Sequence, residues 1–316
     1  MKWIFESTIC SNWNSGINMK NFKWKVNYVV EGLLPLELPK TVNKEYVLER
    51  IIEKEPETRA ILSVGVSRQP VPSEEEVEKV RRIAYERVER LVNFYSLFIG
   101  GLRILYEESV EQVTPYKGRK LLSRSFRIRG RVALTDEEWH KGIKLFQEVE
   151  TQSLEKYLSL ALSHYNLAFW TEPKSSFLNL MICIEALYNT DPQELRYRIS
   201  HRVANLLGRT EILRRRIFKN IQDLYSKRNR LVHGLKPVEV TEEDRELLRT
   251  YSKHSLWALL NLGQKKKDIL EKIDDAIYDE KIRKNIQEKL EDILDRLEKK
   301  LKEKQNDPDK KENEKK

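Results

Sequence analysis

Between residues 135 and 263 apolar side chains recur at intervals of three and four with hardly any strict alternation, and that period restricts this part of the chain to packed helices. Segments 136–149, 152–170, 174–189, 194–207, 211–233 and 243–264 each carry an apolar face. Their ends are marked chemically. Thr135 with Glu138 has the form of a capping box, Gly208 precedes Thr210, and Gly234 precedes Pro237. Connections this short join antiparallel neighbours, so residues 135–263 are expected to form a compact bundle.

The part before it reads differently. Residues 22–67 alternate β-branched and aromatic residues with polar ones, as in KWKVNYVV and RAILSVGVS, punctuated by Pro35, Pro39 and Pro56. Two or three strands are predicted there. Ser73 and Glu76 then open a helix whose apolar positions are Val77, Val80, Ala84, Val88, Leu91, Tyr95 and Phe98. Alternation returns over residues 121–134, with Phe126, Ile128 and Val132 on one face and Arg127, Arg129 and Arg131 on the other, as in a half-solvated strand with a basic outer face.

The expected class is therefore α+β. A small mixed domain with a few strands and a long helix spans residues 22–134, and an all-α bundle spans 135–263. Residues 1–21 are an extension without clear pattern, within which Met19 opens a second plausible start. Residues 264–304 carry a stripe of Ile286, Leu290, Ile293, Leu297 and Leu301 among charges, which predicts one charged amphipathic helix, equally suited to docking on the body or pairing with a partner. Residues 305–316 are polar and expected to be a disordered tail.

The formal charge of the 316 residues is +9, and its distribution is uneven. Residues 196–236 hold twelve Lys or Arg against Glu211 and Asp223, a net of +10, whereas residues 265–316 hold seventeen basic against sixteen acidic side chains. Attraction for a polyanion is thus concentrated in the bundle, not in the Lys-rich tail. The longest apolar stretch, residues 91–106, is interrupted by Asn93, Ser96 and Arg103 and is shorter than the roughly 20 residues of a spanning helix. Neither a membrane span nor a signal-peptide core is evident, so cytoplasmic residence is expected. Cys10 and Cys183 stand far apart without a His cluster, so no disulfide framework, metal or cofactor is expected.

The segment ending at His233 carries the chemistry. Ile217, Ile221, Leu224 and Leu231 follow helical spacing, and Arg228 falls on that apolar stripe, where a charge needs a partner. Glu185, which interrupts another apolar helix, is the expected one. Gln222, Ser226, Asn229 and His233 share the adjacent stripe. Arg228 and His233 diverge by about 140° at 100° per residue, which makes it awkward to aim both at one phosphate and favours a site shared across a two-fold interface. Spacing alone decides little, because Arg196 with His201 and Arg249 with His254 repeat it. The middle pair differs by the polar Asn229, the basic surroundings and the Gly234 stop.

The string LYSKRNRLVHG resembles the signature of the HEPN superfamily, in which an Arg followed by a polar residue precedes a His by four to six residues. FLNLMICIEALY and ELRYRISHRVANLLG, upstream in that order, resemble the Apea-like HEPN branch, and the likeness covers about 110 residues, roughly 154–262. The resemblance implies a helical bundle, a homodimer whose Arg and His side chains line one cleft, and metal-independent RNA cleavage, as in toxins and antiviral defence effectors. Other members are inactive and serve as RNA-binding or protein-interaction modules. Arg228, Asn229 and His233 are the implied catalytic residues, with Glu185 accompanying them and Tyr225 supporting. Arg214, Arg215, Arg216, Lys227 and Arg230 are candidate contacts to the RNA backbone. His140, His164, His201 and His254 are expected to be satisfied or exposed, and Tyr225 and Trp257 to be core residues.

Overall fold

The computed structural model describes side chains at Val26 and Val66, in residues 74–94 and 96–97, and throughout 155–190, 193–234, 238–263 and 265–302; helix ends and strand backbones add residues within 24–66, 95–112, 133–134 and 303. Outside the described residues fall the expected helix 136–149, the capping-box residues Ser73, Thr135 and Glu138, most of the basic strand 121–134, and both chain ends. The chain divides into two compact units, one of Met1–Val92 and Leu102–Glu148, the other of Asn93–Gly101 and Val149–Lys316.

In the first unit β1 (Trp24–Gly32) pairs antiparallel with β5 (Arg59–Val66) and β6 (Leu102–Gln112), while β3 (Lys40–Asn43) and β4 (Tyr46–Arg50) extend the ladder beyond β5. β2 (Leu34–Pro35) and β7 (Ala133–Leu134) are a two-residue parallel pair. Helix α1 (Glu74–Ile99) opens with Glu74, Glu75 and Glu76 at its positive end. It buries Val80, Ala84, Val88, Leu91 and Phe94 on one stripe.

The α+β expectation is corrected. Of the residues whose side chains are described, 84% are helical and 1% lie in strand, with no sheet among them, so the described part is mostly helical. Strands form in the backbone of the first unit, but among their residues only Val26 and Val66 have described side chains, so helices dominate the part whose packing is described. Helical segments supply nearly all of the described core.

The second unit is a helical bundle of α2 (Lys156–Leu167), α3 (Pro173–Tyr188), α4 (Leu195–Leu207), α5 (Glu211–His233), α6 (Glu242–Leu262), α7 (Lys266–Asp275), α8 (Glu280–Lys289) and α9 (Glu291–Glu303). α3 is its axis. Pro173 at its first turn needs no amide partner, and Ser176 Oγ donates to Ala168 O at 2.6 Å, closing the turn from α2. Phe177, Leu180, Met181, Cys183, Ile184, Leu187 and Tyr188 are all at most 1% exposed, because α2, α4, α5 and α6 pack around them. Burial pushes the Cys183 thiol and the Tyr188 hydroxyl far up, so both stay neutral. Tyr188 Oη donates to Ser255 Oγ of α6 at 2.7 Å.

One charged residue lies inside this core. Arg202 of α4, its side chain 5% exposed, donates from Nε and Nη2 to Asp274 of α7 at 2.9 and 2.7 Å, and from Nη1 to the Tyr188 carbonyl at 2.6 Å and Thr190 Oγ1 at 3.1 Å. The charge is tolerable because its donors are met on both sides. His254 of α6 is also buried, with a ring nitrogen 2.7 Å from the Thr250 carbonyl.

The single charged helix expected over 264–304 is three helices. Ala276–Tyr278 turns after α7, and Asp279 caps α8 by accepting from Lys281 N at 2.7 Å and Ile282 N. A further break at Leu290 leaves the apolar period in phase, which is why the sequence pattern does not register it. Leu294, Leu297 and Leu301 of α9 are buried, and α9 packs on α6, so the stripe docks on the chain's own body. Among the described residues no helix is long and apolar enough to cross a membrane.

Arg202→Leu is expected to cost about 3 kcal/mol in urea unfolding, because it strands Asp274 and the Tyr188 carbonyl together. A second prediction concerns pH. Burial first of all, opposed by the Thr250 carbonyl and reinforced by Lys253, Lys300 and Arg296, holds His254 down at about 4. A depressed folded pKa means the stabilisation is complete above the ordinary value near 6.5 and is lost as pH falls toward 4. The melting temperature of the native chain should fall through that window, and that of His254→Leu should fall less; parallel curves for the two would contradict the assignment.

Candidate functional site

Helices α4 and α5 form an antiparallel hairpin over residues 208–210. The link is tight because Gly208 has no side chain: a Cβ there would lie 2.5 Å from Arg214 Cγ and 2.7 Å from the Ala204 carbonyl. Thr210 caps α5 by accepting from Leu213 N at 3.2 Å. With so short a link, the first turn of α4 stands beside the last turns of α5. Arg196 Nη1 donates across to Ser226 Oγ at 3.2 Å, and Ser226 in turn donates to the Gln222 carbonyl at 2.8 Å.

An open cleft of about 730 Å³ lies between these two ends. Among the described residues its walls are Glu194, Leu195, Arg196 and Tyr197 from the start of α4, and Tyr225, Arg228, Asn229 and His233 from the end of α5. The three residues proposed as catalytic therefore share one cavity of a single chain. The ideal-helix divergence of Arg228 and His233 is real, but a cavity this wide borders both the inner stripe and the polar face. The geometric argument for a two-chain site loses its force.

Arg228 meets Glu185 of α3, with Nε 3.3 Å from Oε1 and Nη2 3.5 Å from Oε2; the side chains are 25% and 19% exposed. The pairing expected from two charges interrupting apolar stripes is thus present. Arg228 Nη1 donates to Asn229 Oδ1 at 3.3 Å, and its guanidinium carbon stands 5.6 Å from the Tyr225 ring centroid. Burial, then the charge and hydrogen bonding of Glu185, push the Tyr225 hydroxyl up to about 12, with Arg228 pulling the other way. Tyr225 is neutral at any physiological pH and is 3% exposed, a wall of the cleft more than a reagent.

The His233 side chain is exposed in the last turn of α5, and its ring makes no hydrogen bond to another described residue. Gly234 ends the helix in the left-handed region at φ 62°, with its N–H on the Arg230 carbonyl at 3.1 Å. His233 therefore projects from a defined helix end.

The candidate backbone contacts are dispersed and mostly occupied. Lys227 pairs with Asp244 of α6 at 2.6 Å; burial works against the Asp244 charge, but hydrogen bonds from Lys227 and Thr241 outweigh it and hold that carboxyl below the usual range. Arg214 donates to the Gly208 and Arg209 carbonyls at 3.3 and 3.0 Å, and Arg215 pairs with Glu211. Arg216 lies half-buried beside Tyr251, and Arg230 is exposed. None of the five is among the described residues lining the cleft. His164 and His201 lie within 2.9 Å of Asn179 and 2.8 Å of Asn205. No group of three or more His, Cys, Asp or Glu suited to a metal ion is gathered among the described residues.

Arg196 and Tyr197 escape sequence reasoning. Arg196 is noticed there only as half of an uninformative Arg/His spacing, and its approach to Ser226 spans thirty residues. The remaining trace is backbone: Glu194 holds a left-handed φ of 51°, the one such non-glycine residue among those described.

No protein-family model matches the chain, and neither a curated protein nor a solved structure matches it. The chemical reading rests on the cleft itself.

Gly234→Ala should cost about 1 kcal/mol in chemical denaturation, since a Cβ meets no clash there and only the left-handed backbone opposes it. Gly234→Asn should cost less; an equal cost would place the penalty elsewhere.

Proposed function

We propose that this cleft is the active site of a metal-independent endoribonuclease of HEPN type. The observation that carries the reading is the convergence of Arg228, Asn229 and His233 on one basic-walled cavity of a size to admit a nucleotide. RNA holds its own nucleophile. When the 2′-hydroxyl loses its proton and attacks the adjacent phosphorus, the bond to the 5′-oxygen breaks, leaving a cyclic phosphate and a 5′-hydroxyl. His233, exposed in the cleft, takes the 2′-hydroxyl proton or, when protonated, gives one to the departing 5′-oxygen. Arg228 keeps N–H donors beyond those directed at Glu185 and Asn229, and they face the charge that grows on the phosphorane. Asn229 has an amide nitrogen left for a phosphate oxygen. Glu185 fixes the guanidinium and does not react.

The resemblance adds a homodimer, a cytoplasmic setting and a role as toxin or antiviral effector. Pairing two copies would set two Arg228/His233 sets near one strand, one acting as base and the other as acid. A second reading is an inactive binding module. It is favoured by the partial neutralisation of Arg228 by Glu185.

Purified protein incubated with labelled RNA in EDTA separates them. Cleavage by the native chain, reduced at least a hundredfold in both Arg228→Ala and His233→Ala, is expected of the nuclease. RNA retained without cleavage would instead establish the module, and cleavage surviving in both variants would sink the assignment of the site.

A further inference from the structure

The cleft has two walls, and the reaction above uses one. The opposite wall, at the start of α4, presents Arg196 and Tyr197, both exposed, Tyr197 by 53%. A large aromatic left that open on a core-forming helix calls for an explanation, and its surroundings supply one. The ring packs edge-on against Phe218, with centroids 5.7 Å apart at 79°, and lies tilted on His201 at 5.6 Å. Two rings behind it fix its plane while much of it remains free. Arg196 is anchored by the neutral Ser226 hydroxyl, and no carboxylate pairs with it among the described residues. It differs in this from Arg228, whose charge is met by Glu185.

A braced aromatic beside a guanidinium held by a neutral hydroxyl, on one side of a cleft that carries phosphate chemistry on the other, matches the two parts of a nucleotide. We propose that Arg196 and Tyr197 form a nucleotide-positioning wall: Tyr197 stacks the base next to the scissile phosphate, and Arg196 holds the neighbouring phosphate. The base must be unpaired to stack, so the wall selects unstructured positions in the strand. The inference rests on the RNA reading for the identity of the ligand, but its residues take no part in proton transfer.

The test uses the His233→Ala protein, which keeps Arg196, Tyr197 and Arg228, and short single-stranded RNA followed by fluorescence anisotropy. Two RNAs of equal length and charge are compared, one with bases and one abasic. The base-containing strand should bind about tenfold more tightly. Tyr197→Leu, which keeps apolar contact with Phe218 and His201, should abolish that preference, and Tyr197→Phe should keep it. Arg196→Gln should weaken both strands alike and lower the salt slope by about one. Melting curves matching the parent show that the variants are folded. A base preference that survives Tyr197→Leu, or a salt slope unaltered in Arg196→Gln, overturns the proposal. Metal-free cleavage of RNA by the native chain together with either result would leave the nuclease reading intact. The expected binding pattern with no cleavage would leave the wall and remove the nuclease.

Discussion

The site depends on a charge in the wrong place. Arg202 sits in the core of the bundle, where an unpaired guanidinium would be prohibitively unstable, and it survives there by binding the last carbonyl of α3, Thr190 just beyond it, and Asp274 of α7. That junction sets where α3 ends relative to α4. Glu185 lies one turn before Tyr188, and Arg196 lies on the helix that carries Arg202. The counter-charge of one wall of the cleft and the cation of the other are therefore held in register by a contact that touches neither.

What the sequence revealed was the part governed by short-range chemistry. Residues 211–233 emerge as α5 with the predicted bounds, because Thr210 and Gly234 satisfy opposite helix ends by local hydrogen bonding. The pairing of Arg228 with Glu185 was also legible, since each interrupts an apolar stripe and neither could be buried alone. Arg196 was not legible. Its contact with Ser226 depends on the hairpin link, and the link depends on the absence of a side chain at Gly208, which a sequence displays as a stop signal and not as a close approach. The divergence of Arg228 and His233 was calculated correctly from helix geometry, yet it treated a cavity as a point.

The misjudged class has the same origin. Alternation in the first unit and helical periodicity in the second are both visible in short windows, but a window does not weigh one against the other. In the C-terminal region the apolar period from Ile286 to Leu301 concealed the break at Leu290, and the break at Asp279 falls before that stripe begins. Period reports which face is buried, and capping reports where a helix stops.

The cleft belongs to one helical hairpin, whose two ends it joins. Its walls are close in space only while the last turn of α5 stays wound, and helix ends are the first parts of a structure to open. A ligand spanning the two walls would act as a clasp on that end, trading part of its contact energy for the suppression of fraying. Recognition and local order would then be one equilibrium, in which an occupant grasping only one wall leaves the far end of the hairpin loose.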